Sequence, residues 1–208
     1  MKILQYSTIS TVLIAMPALA ADLQVSGIPN FHQVNESIYR GGQPSNQAWP
    51  GLAKLGVKTV IDLRRVKEHD TGAEARAVEA AGMRYVNIPM NGIVAPTSEQ
   101  VVKVLGLLDS GPVFVHCRRG ADRTGTVIAC YRMRHDGWNN ETAFKEAKSL
   151  GMSWVEFGMK QYIMAYRTPA DHGPAGQVAA ASVSDQQPVA LKPAGVTPAV
   201  VTPAAVAP

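Results

Sequence analysis

Short β-branched apolar runs alternate with longer stretches of helical periodicity between residues 37 and 166. This alternation predicts an α/β domain with a central, mostly parallel sheet of about four or five strands flanked by helices. The predicted strands are residues 37–40, 58–63, 84–88 and 112–116. The predicted helices are residues 48–55, 68–81, 98–108, 123–135, 141–150 and 155–166. We therefore expect a single domain over residues 21–170.

Two further patterns concern the helices. Thr97 precedes Ser, Glu and Gln and can cap the third helix, and Asn140 can cap the fifth. Apolar residues at helical spacing in the last two helices favour packing against the sheet over an aromatic ligand-binding box. These residues include Phe144, Ala147, Leu150, Trp154, Phe157 and Tyr162.

Both ends of the chain differ from the predicted domain in composition. Residues 1–20 place Lys2 before a short apolar stretch and a small-residue end, which is typical of a secretory signal peptide. The stretch is too short to cross a bilayer, so we expect no membrane span and export to the periplasm or medium. Residues 171–208 are rich in Ala, Pro and Val and predict a disordered tail, whose partner the composition does not identify.

The net charge of +4 at pH 7 has a local origin. Between His116 and His135 there is one acid, Asp122, against Arg118, Arg119, Arg123, Arg132 and Arg134. A nucleic-acid-binding surface would be a broader basic face with stacking aromatic residues. The focused charge therefore predicts a compact anionic ligand and no nucleic acid.

The chain has two cysteines, Cys117 and Cys130. If the first opens a loop and the second lies about two turns into the next helix, the helical rise separates them by roughly 10 Å. This separation exceeds the reach of a disulfide. We expect both thiols to be free.

Residues 113–126 run from an apolar strand, through a loop that contains glycine, into a helix. A loop at a helix N-terminus directs backbone N–H groups toward one point, where the helix dipole adds positive potential. Cys117 opens this predicted anion-binding loop, a setting that favours the nucleophilic thiolate. Arg123 lies six positions later, and its planar guanidinium can bind two phosphate oxygens.

Neighbouring residues have predicted supporting roles. Gly120 lets the backbone turn close to the anion, and Gly125 permits tight packing of the first helical turn. Thr124 can donate its hydroxyl to the sulfur when it leaves. His116 can hydrogen-bond the loop from beneath.

Three more loop residues are candidates for substrate binding. Arg118 and Arg119 can bind further phosphates of a polyphosphorylated ligand, although solvated surface charge explains them equally well. Ala121 is predicted to bind the phosphate through its backbone.

The order of Cys117, five residues, Arg123 and Thr124 resembles the signature of the cysteine-dependent protein tyrosine phosphatase superfamily. From about residue 29 to 166 the chain also resembles the small atypical dual-specificity phosphatases of bacteria, fungi and plants. Segments 38–44 (IYRGGQP), 60–64 (VIDLR) and 87–90 (NIPM) carry that resemblance. It implies one α/β phosphatase domain, a cysteinyl-phosphate intermediate hydrolysed by water, and no metal or other cofactor.

One expected residue has no counterpart in the chain. Phosphatases of this kind commonly take a general acid from an aspartate some 30 residues before the cysteine, but residues 71–108 contain no aspartate. Asp122 is the best replacement, since a similar Asp-Arg-Thr ending occurs in myotubularin-like and Sac-type phosphoinositide phosphatases. It can equally cap the helix or pair with Arg118. Glu99 is a weaker candidate, and a good leaving group would need no acid.

Arg40 and Asp62 end predicted strands, where ligand-facing residues of open parallel sheets collect. A mutual ion pair that braces the loop is the favoured interpretation. Direct contact between Arg40 and substrate is the alternative.

Three functions stay open at this point. The first is hydrolysis of phosphotyrosine-type or other compact phosphate monoesters on a phosphoprotein. The second makes an inositol phosphate, inositol pyrophosphate or phosphoinositide the substrate, because of the basic cluster and Asp122. The third is a non-catalytic module that binds phosphorylated ligands, which the missing upstream aspartate suggests. We also expect Cys117 to need a reductant in an oxidising compartment.

Overall fold

The computed structural model describes residues 25–155 and 157–168. Its strands are β1 (His32–Gln33), β2 (Ile38–Gly41), β3 (Thr59–Asp62), β4 (Arg84–Asn87) and β5 (Val113–His116). Its helices are α1 (Trp49–Lys54), α2 (Thr71–Ala80), α3 (Ser98–Leu108), α4 (Asp122–His135), α5 (Asn140–Ser149) and α6 (Phe157–Ala165). The expected signal peptide at 1–20 and the expected tail at 171–208 lie outside these residues.

The five strands form one sheet in the order β1-β2-β5-β3-β4. Strand β1 is antiparallel to β2, and the other three pairs are parallel. The predicted α/β class and mostly parallel sheet are confirmed. Strand β1 was not predicted, because two residues are too short to give a periodic pattern.

Hydrophobic cores cover both faces of the sheet. Val60 and Phe114 point toward α1 and α2, whereas Ile61 and Val115 point toward α3, α4, α5 and α6. Neighbouring residues of a strand face opposite sides, so each central strand contributes to both cores. Helix α4 is buried along most of its length. Its N-terminus is therefore held firmly against the carboxyl end of β5.

Three helix starts show how local hydrogen bonds set the boundaries. Helix α2 begins at Thr71 rather than at residue 68, because the Asp70 side chain accepts the Ala73 N–H at 2.9 Å. A 3-10 turn, Val66–Glu68, precedes it. The cap predicted at Thr97 is confirmed.

The cap of α5 is Asn139, not Asn140 as predicted. The amide of Asn140 instead donates to the carbonyl oxygens of Ile163 at 2.7 Å and Tyr166 at 3.0 Å. It ties the start of α5 to the end of α6.

Core packing was wrongly predicted for two aromatic residues. Trp154 is 81% exposed and Phe157 is 66% exposed. Trp154 lies in the turn before α6, so a helical spacing that runs through it has no structural meaning. Ala147 is buried as expected, and Phe144 and Tyr162 pack against the core while partly exposed.

Within the part of the chain that the structure describes, no helix has the length and apolar character needed to cross a membrane.

Candidate active site

The loop between β5 and α4, residues 117–121, lies at the carboxyl end of the parallel strands. It borders a cavity of about 490 Å³, which is lined by Gly92, Cys117, Arg118, Arg119, Asp122 and Arg123. Cys117 is only 2% exposed, so its thiol is reached through this cavity. The predicted nucleophile and the predicted phosphate clamp thus share one site.

Hydrogen bonds behind the loop fix its carbonyl groups. Arg40 Nη2 donates to the Gly120 carbonyl oxygen at 2.7 Å, and Asn30 Nδ2 donates to the same oxygen at 3.1 Å. The backbone N–H of Gln43 donates to the Arg118 carbonyl oxygen at 3.2 Å. The Arg118 carbonyl therefore points toward the segment that follows β2, and the Gly120 carbonyl points toward the side chains of Arg40 and Asn30.

This orientation determines where the loop N–H groups point. In a trans peptide the carbonyl and the following N–H lie on opposite sides. The N–H group of Arg119 is consequently directed away from Gln43, and that of Ala121 is directed away from the side chains of Arg40 and Asn30. The side chain of Ala121 is buried, so only its backbone is available to an anion.

Glycines allow the β2 segment to approach this closely. Gly120 has a φ of +72°, and a Cβ on it would lie 2.2 Å from the Gly41 carbonyl carbon and 2.4 Å from the Gly42 nitrogen. A Cβ on Gly125 would meet Met152 Cε at 3.2 Å, which agrees with its expected role in tight packing. Neither Gly120 nor Gly125 lines the cavity.

Arg40 is 1% exposed and lies behind the loop rather than in the cavity. Burial lowers the pKa of its guanidinium to about 10. Its Nε and Nη1 have no hydrogen-bond partner among the described residues. The expected direct contact with substrate is therefore wrong, and Arg40 supports the loop from beneath.

The expected ion pair between Arg40 and Asp62 is also wrong. Arg40 is in register with Val115, whereas Asp62 is in register with the next residue, His116. The two side chains therefore point to opposite faces of the sheet.

Asp62 instead pairs with Arg64, whose Nε and Nη2 lie 2.9 and 3.0 Å from its two oxygens. The Tyr85 hydroxyl donates to it at 2.8 Å. Burial would raise the pKa of Asp62, but the hydrogen bonds from Arg64 outweigh burial and leave this pKa below its ordinary value. Arg64 also pairs with the buried Glu74.

Ligand atoms of Asp62, Glu74 and His116 lie within 4.8 Å of one another, a spacing that a metal ion could bridge. The Arg64 guanidinium already pairs with both carboxylates and would face a metal cation at close range. These residues therefore do not fit a metal ion while Arg64 keeps its position.

His116 does not hydrogen-bond the loop as expected. Its ring is fully buried and stacks on Phe114 with centroids 5.4 Å apart, on the side of α1 and α2. Nε2 lies 3.0 Å from Glu74 Oε1, but neither ring nitrogen makes a well-formed hydrogen bond to the residues described. The pleat of β5 directs this side chain away from the loop.

Arg123 is held by a carboxylate that sequence reasoning missed. Its Nη1 and Nη2 donate to Glu68 Oε1 at 2.9 Å and Oε2 at 3.0 Å. Burial would raise the pKa of Glu68, but the hydrogen bonds from Arg123 lower it to about 2. The Nε–Nη2 edge of the guanidinium is the one left for a phosphate. The only sequence signal for Glu68 was its position shortly after β3.

Both oxygens of Asp122 have partners. Oδ2 pairs with Arg119, and Oδ1 accepts the backbone N–H of Ser153 at 2.7 Å. Asp122 therefore joins the loop to the segment before α6, and its side chain still lines the cavity. The predicted pairing with Arg118 is replaced by one with Arg119, which is exposed like Arg118.

Two other expected contacts differ. The Thr124 hydroxyl is buried and has no hydrogen-bond partner in the described ranges, so the bond to Cys117 is not formed. Glu99 pairs with Lys103 at 2.7 Å on the exposed face of α3 and does not line the cavity.

Cys117 and Cys130 are both free and buried, as predicted from their spacing. Burial raises the pKa of the Cys130 thiol well above its ordinary value. Cys130 is therefore an inert core residue.

Comparison with known proteins decides the family. Residues 23–162 match the family described as DSP-PTPase phosphatase fused to NAD+ kinase. The chain belongs to this dual-specificity phosphatase family. It is a cysteine-dependent phosphatase with a single phosphatase fold, and the resemblance read from its sequence is confirmed.

Relatives of known sequence agree. The chain is 31% identical over 148 residues to the probable tyrosine-protein phosphatase DG1060 of Dictyostelium discoideum, covering 67% of this chain and 86% of the relative. It is 31% identical over 126 residues to the dual specificity protein phosphatase TpbA of Pseudomonas aeruginosa strain UCBPP-PA14, covering 59% of this chain and 55% of TpbA. The chain thus matches about half the length of TpbA.

Solved structures share the fold. The crystal structure of P. aeruginosa TpbA is similar with a TM-score of 0.58 and 26% identity, covering 67% of this chain and 86% of that one. The core catalytic domain of the PP-IP phosphatase SIW14 from S. cerevisiae has a TM-score of 0.60 at 23% identity, covering 76% and 94%.

Proposed function

We propose that this phosphatase hydrolyses phosphotyrosine-type monoesters, with Cys117 as nucleophile and Arg123 as phosphate clamp. The observation that carries the proposal is that both residues line one cavity at the N-terminus of α4, while the loop carbonyls are bound on the far side. The relatives named as tyrosine or dual-specificity phosphatases support this substrate class.

The reaction proceeds in two displacements. The Cys117 thiolate attacks phosphorus, the S–P bond forms, and the ester oxygen leaves with the bonding pair and takes a proton. Water then attacks the phosphorus, the S–P bond breaks, and inorganic phosphate leaves as the thiolate is restored. The free edge of Arg123 and the N–H groups of Arg119 and Ala121 stabilise the charge on the non-bridging oxygens.

Thr124 acts in the second displacement. Its hydroxyl is buried and has no partner among the described residues, so it can donate to the departing Cys117 sulfur after a rotation of χ1. His116 contributes through the packed ring that fixes the end of β5.

Asp122 is the proposed acid for the leaving oxygen. It lines the cavity, but Arg119 and the Ser153 N–H both bind its ionised form. Arg119 is 59% exposed and can turn toward the phosphate of a bound substrate. Its departure leaves the Ser153 N–H as the side-chain partner of Asp122 and frees Oδ2 toward the leaving oxygen.

Inositol phosphates and inositol pyrophosphates are the second candidate substrates. Arg118 and Arg119 are exposed at the mouth of the cavity, where they can bind phosphates beyond the one that reacts. The leaving group of a phosphoanhydride is itself a phosphate, and it departs without a general acid.

Export remains part of the proposal and rests on residues 1–20 alone. Fractionation of cells that produce the full chain tests it: a periplasmic or secreted product shortened by about 20 residues is expected.

Turnover of an aryl phosphate tests the chemistry. We expect hydrolysis of para-nitrophenyl phosphate that persists in EDTA, is inhibited by vanadate and is lost in Cys117→Ser. Cys130→Ser is the matched control and should remain active. Metal-dependent turnover that survives Cys117→Ser would contradict the proposal.

A further inference from the structure

A second cavity of about 460 Å³ lies where α5, α6 and the turn between them meet. Its lining residues are Glu141, Phe144, Lys145, Lys148, Trp154, Lys160 and Met164. Three apolar side chains thus share the groove with three lysines and a single acid. We call it the lysine groove.

Two of the three lysines of this groove lie against its aromatic walls. Lys148 Nζ lies 3.3 Å from the centroid of the Trp154 ring, and Lys160 Nζ lies 5.4 Å from that of Phe144. Such cation–π contacts keep the ammonium groups beside the aromatic rings. Lys148 Nζ also donates to the Met152 carbonyl oxygen at 3.1 Å, and no ion pair joins either of these two lysines to a described residue. Among the described residues, the groove therefore places three lysines and one acid next to apolar surface.

The lysine groove adjoins the catalytic loop. The Ser153 N–H binds Asp122, and the next residue, Trp154, forms a wall of the groove. Desolvation and the charge of Lys160 lower the pKa of Lys148, while Asp122 acts in the opposite direction. A ligand that occupies the cavity beside Asp122 can therefore continue into the groove.

We propose that the lysine groove binds an acidic segment of a phosphoprotein substrate, next to the phosphorylated residue in the cavity. An apolar side chain of that segment packs between Phe144 and Trp154, and its carboxylates pair with Lys148 and Lys160. The inference rests on the proposed function and names the substrate class for the same site. It also gives a role to Trp154, which is 81% exposed without serving the core.

A peptide fits these observations better than an anionic lipid surface. Membrane-docking surfaces insert projecting apolar side chains into the headgroup region. Here Phe144 is partly buried in a concavity, and Lys148 covers one face of the exposed Trp154 ring. A concavity is filled by one anchoring side chain, as in other peptide-binding grooves.

Kinetics on matched phosphotyrosine peptides test the inference in the full chain. One series carries Asp or Glu with Leu or Phe on either side of phosphotyrosine, and the other carries Gln and Ala at those positions. We expect kcat/KM to be about tenfold higher for the acidic series, mainly through KM. Trp154→Ala and Lys148→Glu should remove most of that preference while turnover of para-nitrophenyl phosphate stays unchanged.

Matched controls are exposed residues that do not line the lysine groove. Lys58 is exposed at the amino end of β3, and Val102 is exposed on α3, so Lys58→Glu and Val102→Ala should keep the preference. Equal rates for the two peptide series would overturn the inference. So would an equal loss of para-nitrophenyl phosphate turnover in Trp154→Ala, because the groove would then be part of the catalytic structure.

A binding measurement separates this inference from the proposed function. A labelled acidic phosphopeptide should bind Cys117→Ser more tightly than it binds Cys117→Ser/Trp154→Ala, even if turnover is absent. Equal binding would overturn the inference about the lysine groove and leave the proposed phosphatase function untouched. Vesicles that contain phosphatidylglycerol are the other probe: Trp154-dependent vesicle binding with no peptide preference would replace the peptide with a membrane surface.

Discussion

Glu68 binds Arg123 through both carboxylate oxygens, at 2.9 and 3.0 Å. This pairing fixes the plane of the guanidinium before substrate arrives. A phosphate therefore meets an oriented pair of donors, with less rotamer freedom left to lose. Because Glu68 is 21% exposed, the pair is open to solvent on one side.

Glu68→Gln should weaken the clamp. The amide keeps one acceptor but loses the charge and the two-point geometry, so we expect kcat/KM to fall about tenfold. The pKa of Glu68 is lowered to about 2. The ion pair is therefore fully formed at pH values above the ordinary pKa of a glutamate, and it is lost as the pH falls through about 2. The ratio of wild-type to variant activity should thus be constant from pH 5 to 8. Glu79→Gln, on exposed α2 surface, is the control.

Arg40→Met should release the back of the loop. It removes the donor to the Gly120 carbonyl and the cation close to Cys117. We expect kcat/KM to fall by more than about tenfold. Arg84→Met, on the exposed part of β4, should leave kcat/KM unchanged. An unchanged kcat/KM in Arg40→Met would contradict a role for Arg40 in holding the loop.

Asp122→Asn should slow substrates in proportion to how poor their leaving group is. A general acid contributes about 10²–10⁴-fold, so phosphotyrosine should be affected strongly and para-nitrophenyl phosphate only slightly. Arg119→Met breaks the same ion pair but keeps the carboxylate, so it should retain this leaving-group dependence. Equal losses on both substrates in Asp122→Asn would assign Asp122 to loop structure through Ser153.

Gly120→Ala should be destabilising and inactive. Its φ of +72° and the 2.2 Å approach to Gly41 both oppose a Cβ. Gly137 has a φ of +69° but open space around it, so Gly137→Ala measures the strain alone, about 1–2 kcal/mol. The overlap should add about 1–3 kcal/mol in Gly120→Ala. Thermal unfolding and para-nitrophenyl phosphate turnover of the two variants check both expectations.

Sequence reasoning reached the parts of the site that are consecutive in the chain. The strand, loop and helix around Cys117 are set by local patterns, and the position of Arg123 follows from its spacing. Partners that come from distant segments were not predictable. Glu68 reaches Arg123 across 55 residues, and Arg40 reaches Gly120 across 80, through sheet register that no local pattern reveals.

The face of a side chain was a second limit. Arg40 and Asp62 both end strands, yet one residue of register separates them, and the pleat sends them to opposite sides. Trp154 shows a similar limit for helices. Its spacing from the apolar residues of α5 looks helical in the sequence, but Trp154 lies in the turn that follows that helix. The hydrophobic pattern predicts the helices and strands, whereas the order of the strands in the sheet decides which residues come into contact.

The inert Cys130 has a practical consequence. Cys117 lines the cavity, whereas Cys130, the other cysteine, belongs to α4 and is buried in the hydrophobic core. A stoichiometric thiol reagent therefore counts competent sites directly, one adduct for each working molecule. With that count, every rate can be expressed per active molecule, and a preparation that has lost its nucleophile to oxidation can be told apart from one that is intrinsically slow.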